Sequence, residues 1–294
     1  MAYQQFHGTG VAIVTPFLEN GDLDLTSLEK LVHFLTAGQV EYLVVLGTTG
    51  ESATLNADEK QKVFSEVARI NNGKLPLVAG IGGNDTREVV HAMGAFNLEG
   101  YSAILSVSPY YNKPNQEGLF QHYKKLSEHS PLPLMMYNVP GRTGMNVSAD
   151  TTLRIADACK NIFATKEASG NFDQINQIVK YAPPGFQVIS GDDGITLPMI
   201  ALGGTGVISV VANAYPLVFS QMVRHALAGD FASARPLHYK LTDIINSMFV
   251  EGNPSGVKAY LSEMGICGNH FRLPVAPVSA KHHDKIRSLM AGVI

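Results

Sequence analysis

Lys166 is the residue best placed to do chemistry in this chain. The stretch Ile162-Phe163-Ala164-Thr165-Lys166-Glu167-Ala168-Ser169-Gly170 reads as a buried parallel strand with a lysine near its C-terminal end. Side chains alternate along a strand, which predicts that Lys166 shares a face with Ala164 and Ile162. The small Ala164 leaves room for the lysine stem. Removing an ammonium from water lowers its pKa, and the neutral amine that results attacks carbonyl carbon. Condensation with a ketone then gives a Schiff base and makes the adjacent carbon an enamine. The competing reading is a structural lysine paired with a carboxylate, Glu167 being the nearest candidate.

A buried strand needs neighbours, and the sequence supplies them. Eight short apolar runs recur: Gly10–Thr15, Tyr42–Leu46, Leu75–Ile81, Ser102–Val107, Pro133–Val139, Ile162–Ala168, Phe186–Ser190 and Gly206–Val211. Most lack strict alternation, as expected when both faces are covered. Amphipathic stretches lie between them, with Leu25, Leu28, Leu31, Val32 and Leu35 on one helical face. Asn56 with Glu59, and Asp85 with Glu88, have capping-box spacing. The helix before the eighth run, around Gly194–Leu202, must be brief. This alternation predicts an α/β fold, a (β/α)8 TIM barrel over 1–228 that carries the active site. A doubly wound open sheet is the alternative. From Tyr215 onward the strand signal stops, and 229–294 is expected to form a small C-terminal helical appendage, a domain of its own.

In such barrels the site is built from loops after the strands. Those positions hold Gly47-Thr48-Thr49-Gly50-Glu51-Ser52, Ser108-Pro109-Tyr110-Tyr111-Asn112-Lys113-Pro114, Tyr137-Asn138-Val139-Pro140-Gly141-Arg142-Thr143-Gly144 and Ser190-Gly191-Asp192-Asp193. Gly203-Gly204-Thr205-Gly206, where the eighth run begins, is grouped with them and reads as a phosphate cradle or a tight turn. Gly47–Gly50 is either a plain turn or a place where backbone N–H groups approach a carboxylate. Tyr110 and Tyr111 are either packing aromatics or, for one of them, part of a proton path. Arg142 is either solvated or a carboxylate clamp. From residues alone, the reading is a barrel enzyme with an amine nucleophile, hydroxyl proton carriers and a small oxo-acid substrate. A phosphate-binding isomerase and a catalytically silent binding barrel remain as alternatives.

The totals exclude several classes. The chain has 294 residues, 45% hydrophobic and 16% charged, with a formal net charge of −3 and a pI near 6.4. No basic footprint for nucleic acid or an anionic membrane is present. Met1-Ala2-Tyr3-Gln4-Gln5-Phe6-His7 lacks a basic region followed by an apolar core, so no signal peptide is expected. No run reaches the ~18 apolar residues of a membrane span. Cys159 and Cys267 are too few for a disulfide framework, and no metal is expected, the ten histidines having no paired i, i+4 spacing. A soluble protein of a reducing compartment, the cytoplasm, is the expectation.

Six motifs, Gly47–Ser52, Ser108–Pro114, Tyr137–Gly144, Lys166–Gly170, Ser190–Asp193 and Gly203–Asn213, occur in the order and at the spacing of one family. From about Gly8 to Val278 the chain resembles the dihydrodipicolinate synthase and N-acetylneuraminate lyase family of class I aldolases. Arg142 puts the resemblance on the synthase side, since sialic acid lyases differ at this stretch. The resemblance implies that Lys166 forms the Schiff base with pyruvate and that Tyr137 is the adjacent proton donor and acceptor. Thr48 and Tyr111 would complete a hydroxyl relay, Tyr111 from a neighbouring subunit. Thr49 and Ile208 would hold the pyruvate end, Gly191 would lie near the substrate, and Arg142 would bind the carboxylate of L-aspartate 4-semialdehyde. No cofactor is implied, and the expected assembly is a homotetramer, a dimer of dimers. Another pyruvate-dependent aldolase of the family is the alternative.

Ser52, Ala53, Asn84, Glu88 and Tyr110 match the interface pocket that binds lysine in inhibited family members. Ala57 and Lys60 stand where inhibited bacterial members commonly carry histidines. An ammonium at Lys60 facing bound lysine predicts weak or absent feedback inhibition.

Overall fold

Each of the eight apolar runs forms a parallel strand, and the strands close into a barrel in chain order. The computed structural model describes residues 3–292. The first and last two residues of the chain, which the N-terminal reading and the 1–228 and 229–294 division include, lie outside the described residues. The strands are β1 (Gly8–Ala12), β2 (Tyr42–Val45), β3 (Leu77–Gly80), β4 (Ala103–Val107), β5 (Leu134–Asn138), β6 (Ile162–Glu167), β7 (Gln187–Ser190) and β8 (Gly206–Ser209). Helices α1 (Leu25–Ala37), α2 (Ala57–Asn71), α3 (Thr86–Ala95), α4 (Gln116–His129), α5 (Pro140–Thr143) and α6 (Ala149–Ala158) follow in order. They continue with α7 (Phe172–Tyr181), the brief α8 (Thr196–Ala201) and α9 (Pro216–Leu227). Beyond these lie α10 (Phe231–Phe249), α11 (Ser255–Glu263) and α12 (Ala280–Ala291).

Period-two geometry sorts the strand residues into two layers. Leu43, Val45, Ile104, Leu134 and Met136 pack outward under the helices, while Tyr42, Val44, Leu105, Met135 and Tyr137 fill the interior. Gly10 is needed inside, because a Cβ there would fall 2.1 Å from the Tyr42 ring. The outer core runs without a break into the C-terminal helices through Leu241, Ile244, Met248, Val257, Tyr260 and Ile286.

One alternation differs from expectation. The β5–β6 register shifts between Leu134 and Met135, so that Leu134 pairs with Ile162 and Met135 with Ala164. Phe163 is the extra residue of a bulge. Ile162 therefore packs outward, whereas Ala164 stays with the interior layer below Lys166. The displaced Phe163 ring stacks on Tyr3 at 4.1 Å and on Phe6 at 5.3 Å, and Phe6 meets Tyr42 edge-on at 5.4 Å. Each such pair adds about 0.5–1.5 kcal/mol beyond burial. Together they close the end of the barrel at which the strands begin.

The caps divide likewise. Asn56 and Glu59 form a reciprocal capping box on α2. On α3, Asp85 caps Arg87 N instead, and Glu88 turns to a cavity wall. No described helix is long and apolar enough to cross a membrane. Both cysteines are buried and unbonded.

Candidate active site

Lys166 sits on β6 in register with Tyr137 on β5 and Ile189 on β7, and is 6% exposed. Glu167 is not its partner. That carboxylate points the other way, accepting from Asn138 Nδ2 at 3.1 Å, Gln174 Nε2 at 3.3 Å and Ser169 N at 2.7 Å. Among the described residues Lys166 forms no ion pair, which removes the structural-lysine reading. Burial lowers its pKa to about 7, with Asp193 opposing the fall and Arg142 adding to it. The shift favours the uncharged amine relative to an ordinary lysine. Its stem lies in a slot that Gly191 keeps open, where a Cβ would fall 2.7 Å from Ala168 Cβ and 3.1 Å from Lys166 Cε.

Tyr137 presents its ring to this amine. The Lys166 ammonium lies 4.2 Å from its ring centroid. Burial raises the phenol to about 12, while Arg142 and the neighbouring Thr48 side chain pull the other way. Thr48 belongs to a single 3-10 turn, Thr48–Gly50, after β2. That turn is tied to β1 by Thr15, whose hydroxyl donates to Gly50 O at 2.7 Å. Thr49 Oγ1 accepts from Asn253 Nδ2 at 3.0 Å, and Asn253 O accepts from Arg142 Nη2 at 3.4 Å.

These groups surround a cavity of about 570 Å³ at the C-terminal ends of the strands. Its walls carry Thr48, Thr49, Tyr137, Arg142, Lys166 and Gly191, all singled out from sequence. Ile208 lies in the interior packing layer of β8 instead, 1% exposed. Tyr111 is outside the walls too, 89% exposed on the loop after β4 and at φ 73°. A non-glycine residue held in that left-handed region is uncommon. A larger cavity of about 740 Å³ shares Thr48, Tyr137, Arg142 and Asn253 with the first and is lined by Ser52, Ala53, Asn84, Glu88 and Tyr110. Ala57 and Lys60 line it as well, and burial lowers the Lys60 pKa.

The Dihydrodipicolinate synthetase family model matches residues 5–292. The chain belongs to this family. It is 50% identical over 290 residues to the 4-hydroxy-tetrahydrodipicolinate synthase of Parabacteroides distasonis, covering 99% of this chain and 98% of that protein. The structure of dihydrodipicolinate synthase from Thermotoga maritima superposes with a TM-score of 0.96 at 43% identity, over 99% of this chain and 100% of the other. The chloride-inhibited synthase from Acinetobacter baumannii, complexed with pyruvate, gives 0.95 at 40% identity, over 98% of each chain.

Within this family frame, one expected member of the mouth is at the wrong end. Gly203-Gly204-Thr205-Gly206 precedes β8 and therefore lies at the floor. A Cβ on Gly204 would fall 2.9 Å from Met199 O, and one on Gly206 2.0 Å from Gly8 O. These glycines serve close backbone packing, which removes the phosphate-cradle reading.

Three groups have a part in the site to which the sequence assigns no role. Asp193, 2% exposed, accepts from Val210 N at 3.0 Å and Val211 N at 2.8 Å. Burial is the main force raising its pKa to about 6, and its charge acts on Lys166. Asn253 sits in Gly252-Asn253-Pro254, where the glycine and proline signal only a break between helices. Lys258 stood in the window Val257-Lys258-Ala259-Tyr260-Leu261, where a lone charge among apolar neighbours was the available signal. No cluster of three His, Cys, Asp or Glu side chains that could hold a metal occurs among the described residues.

Proposed function

We propose that this chain catalyses the 4-hydroxy-tetrahydrodipicolinate synthase reaction, condensing pyruvate with L-aspartate 4-semialdehyde in lysine and diaminopimelate biosynthesis. The observation that carries the assignment to Lys166 is a buried amine, in no ion pair among the described residues, on the wall of a cavity at the C-terminal ends of the strands. Its neutral form attacks C2 of pyruvate, and loss of water gives the protonated imine. Tyr137, with Thr48 beside it, passes the protons needed for the carbinolamine to dehydrate. The imine withdraws electrons from C3, which loses a proton to give the enamine. The enamine carbon adds to the aldehyde of the second substrate, whose own amine then displaces Lys166 as the ring closes. The protonated imine is the electron sink, so the scheme requires no cofactor or metal.

Arg142, exposed at the rim, has the charge and the fork geometry to take the aldehyde substrate's carboxylate. Thr49, Gly191 and Ile208 are assigned to the pyruvate side, Thr49 and Gly191 on the wall and Ile208 in the layer beneath. Tyr111 is assigned to the site of a second subunit, which its near-complete exposure supports. That role requires at least a dimer, and a homotetramer built as a dimer of dimers is the proposed assembly. Residues 229–294 are proposed as a helical unit appended to the 1–228 barrel, and the cytoplasm as the working compartment. The larger cavity is assigned as a lysine pocket weakened by Lys60.

The deciding experiment is borohydride reduction in the presence of pyruvate, followed by mass mapping. Modification of the peptide carrying Lys166 is expected, and its absence overturns the scheme. Turnover of aspartate semialdehyde, and not of sugar acids, separates the synthase from other aldolases of the family.

A further inference from the structure

The C-terminal helices contribute no nucleophile, yet one of them grips the turn that carries the catalytic threonines. Lys258 on α11 has a fully buried side chain whose Nζ donates to Glu51 Oε1 at 2.5 Å and to His270 O at 3.0 Å. The Phe17 and Phe271 ring centroids lie 4.5 and 4.7 Å from the ammonium, so water is replaced by aromatic faces. Glu51 itself is 4% exposed and sits at φ 52°, ψ 33°. A non-glycine residue persists in that region only when its surroundings hold it there.

Glu51 also terminates the catalytic turn. Its N–H donates to Thr48 O at 3.1 Å, closing the Thr48–Gly50 turn, and its own carbonyl accepts from Thr54 N at 3.0 Å. Any displacement of the Glu51 backbone is therefore transmitted to Thr48 and Thr49. A second tie runs parallel to the first. Asn253, just before α11, donates to Thr49 Oγ1 and accepts from Arg142. Lys258 N donates to Pro254 O at 3.0 Å, which ties the first turn of α11 to the residue that follows Asn253. The N-terminal end of α11 thus holds the turn at Thr49 and Glu51 and holds Arg142 as well.

Stability alone does not account for this pair. Buried ion pairs are often matched or exceeded in stability by apolar residues of similar volume, because desolvation consumes most of the Coulomb gain. What a lysine–carboxylate contact offers beyond an apolar pair is a fixed distance and direction.

We propose that the Glu51–Lys258 pair is a positioning device, setting the Thr48–Thr49 turn and, through Asn253, the Arg142 guanidinium for chemistry at Lys166. The proposal rests on the Schiff-base reading of Lys166, and its test separates the two. In the full-length enzyme, Glu51→Asp keeps the charges but shortens one arm by a methylene, pulling the turn towards α11. The Glu51→Gln/Lys258→Met double variant removes both charges at similar volume, avoiding the stranded charge of a single substitution. Borohydride trapping with pyruvate counts competent sites in each preparation, so kcat is read per labelled Lys166. A kcat loss of about tenfold for Glu51→Asp and about 10²-fold for the double variant is expected, because small misplacements cost that much. Trapping at Lys166 persists in both. Either variant turning over within about threefold of the parent per labelled site overturns the proposal, and if the double variant does not fold, Glu51→Asp alone decides. Failure of trapping in the parent overturns the functional reading instead.

Discussion

Lys166 and Tyr137 are directly paired across β6 and β5, with the amine 4.2 Å from the ring centroid. The pairing places the Tyr137 ring beside the nitrogen that, on the Schiff-base reading, exchanges protons during imine formation. Tyr137→Phe keeps the ring and its packing and deletes only the proton carrier. A fall in kcat of about 10²–10⁴-fold is expected, the range for a lost general acid–base group. Stopped-flow or coupled assays on the folded variant measure it. Turnover close to the parent's removes Tyr137 from the relay.

The pH profile follows from burial. If Lys166 attacks as the free amine, the rate of pyruvate trapping should climb as pH rises through about 7 and level off above it. Asp193 opposes the depressed pKa. Asp193→Asn should therefore move the profile to lower pH, and a shift upward contradicts the electrostatic account. Stability carries the same sign. Between about 7 and the ordinary 10.5 the unfolded chain holds a proton on this residue that the folded chain lacks. The contribution of this group to stability rises with pH across that window.

Gly191→Ala tests the slot for the lysine stem. The added methyl meets Ala168 Cβ at 2.7 Å and the Lys166 stem at 3.1–3.2 Å, so the stem must yield. A shift of about 1 Å at the reacting nitrogen costs on the order of 10²-fold in rate. Activity and trapping should fall together, with a melting temperature lowered by the overpacking against Ala168, about 1–3 kcal/mol.

Arg142→Ala separates the two substrates. Loss of a charge-assisted contact worth about 1.5–3 kcal/mol should raise KM for the aldehyde about 10- to 100-fold. Pyruvate trapping should survive, with its pH profile displaced upward, because Arg142 helps lower the Lys166 pKa. Equal loss of both functions assigns the arginine elsewhere.

Lysine inhibition provides an independent check on the larger cavity. With Lys60 on its wall, free lysine should not inhibit strongly below about 1 mM, the concentration at which a site worth ~4 kcal/mol fills. Steady-state rates across a lysine titration decide this, and submillimolar inhibition refutes it.

Most of the barrel was legible because uninterrupted Val, Ile and Leu runs have few other uses in a chain of this size. Lys166 was legible for a related reason, as a charge that such a run must neutralise. Lys258 sent the same signal and was passed over, since its setting was a helix outside the barrel. The Phe163 bulge was hidden because it exists only in the register of β6 against β5, a relation between distant segments. The misplaced glycines reflect strand polarity. Residues before a strand and residues after it lie at opposite ends of the barrel, and Gly203–Gly206 is of the first kind.

The aromatic plug formed by Tyr3, Phe6 and Phe163 has a kinetic consequence. With the bottom stoppered, reactants and product share one doorway, and whichever molecule reaches Lys166 first sits deepest. If Lys166 is the tethering amine, the keto acid is expected to dock before the aldehyde, and product-inhibition kinetics check that order. The shape of the vessel and the chemistry of its amine would then favour the same sequence of arrivals.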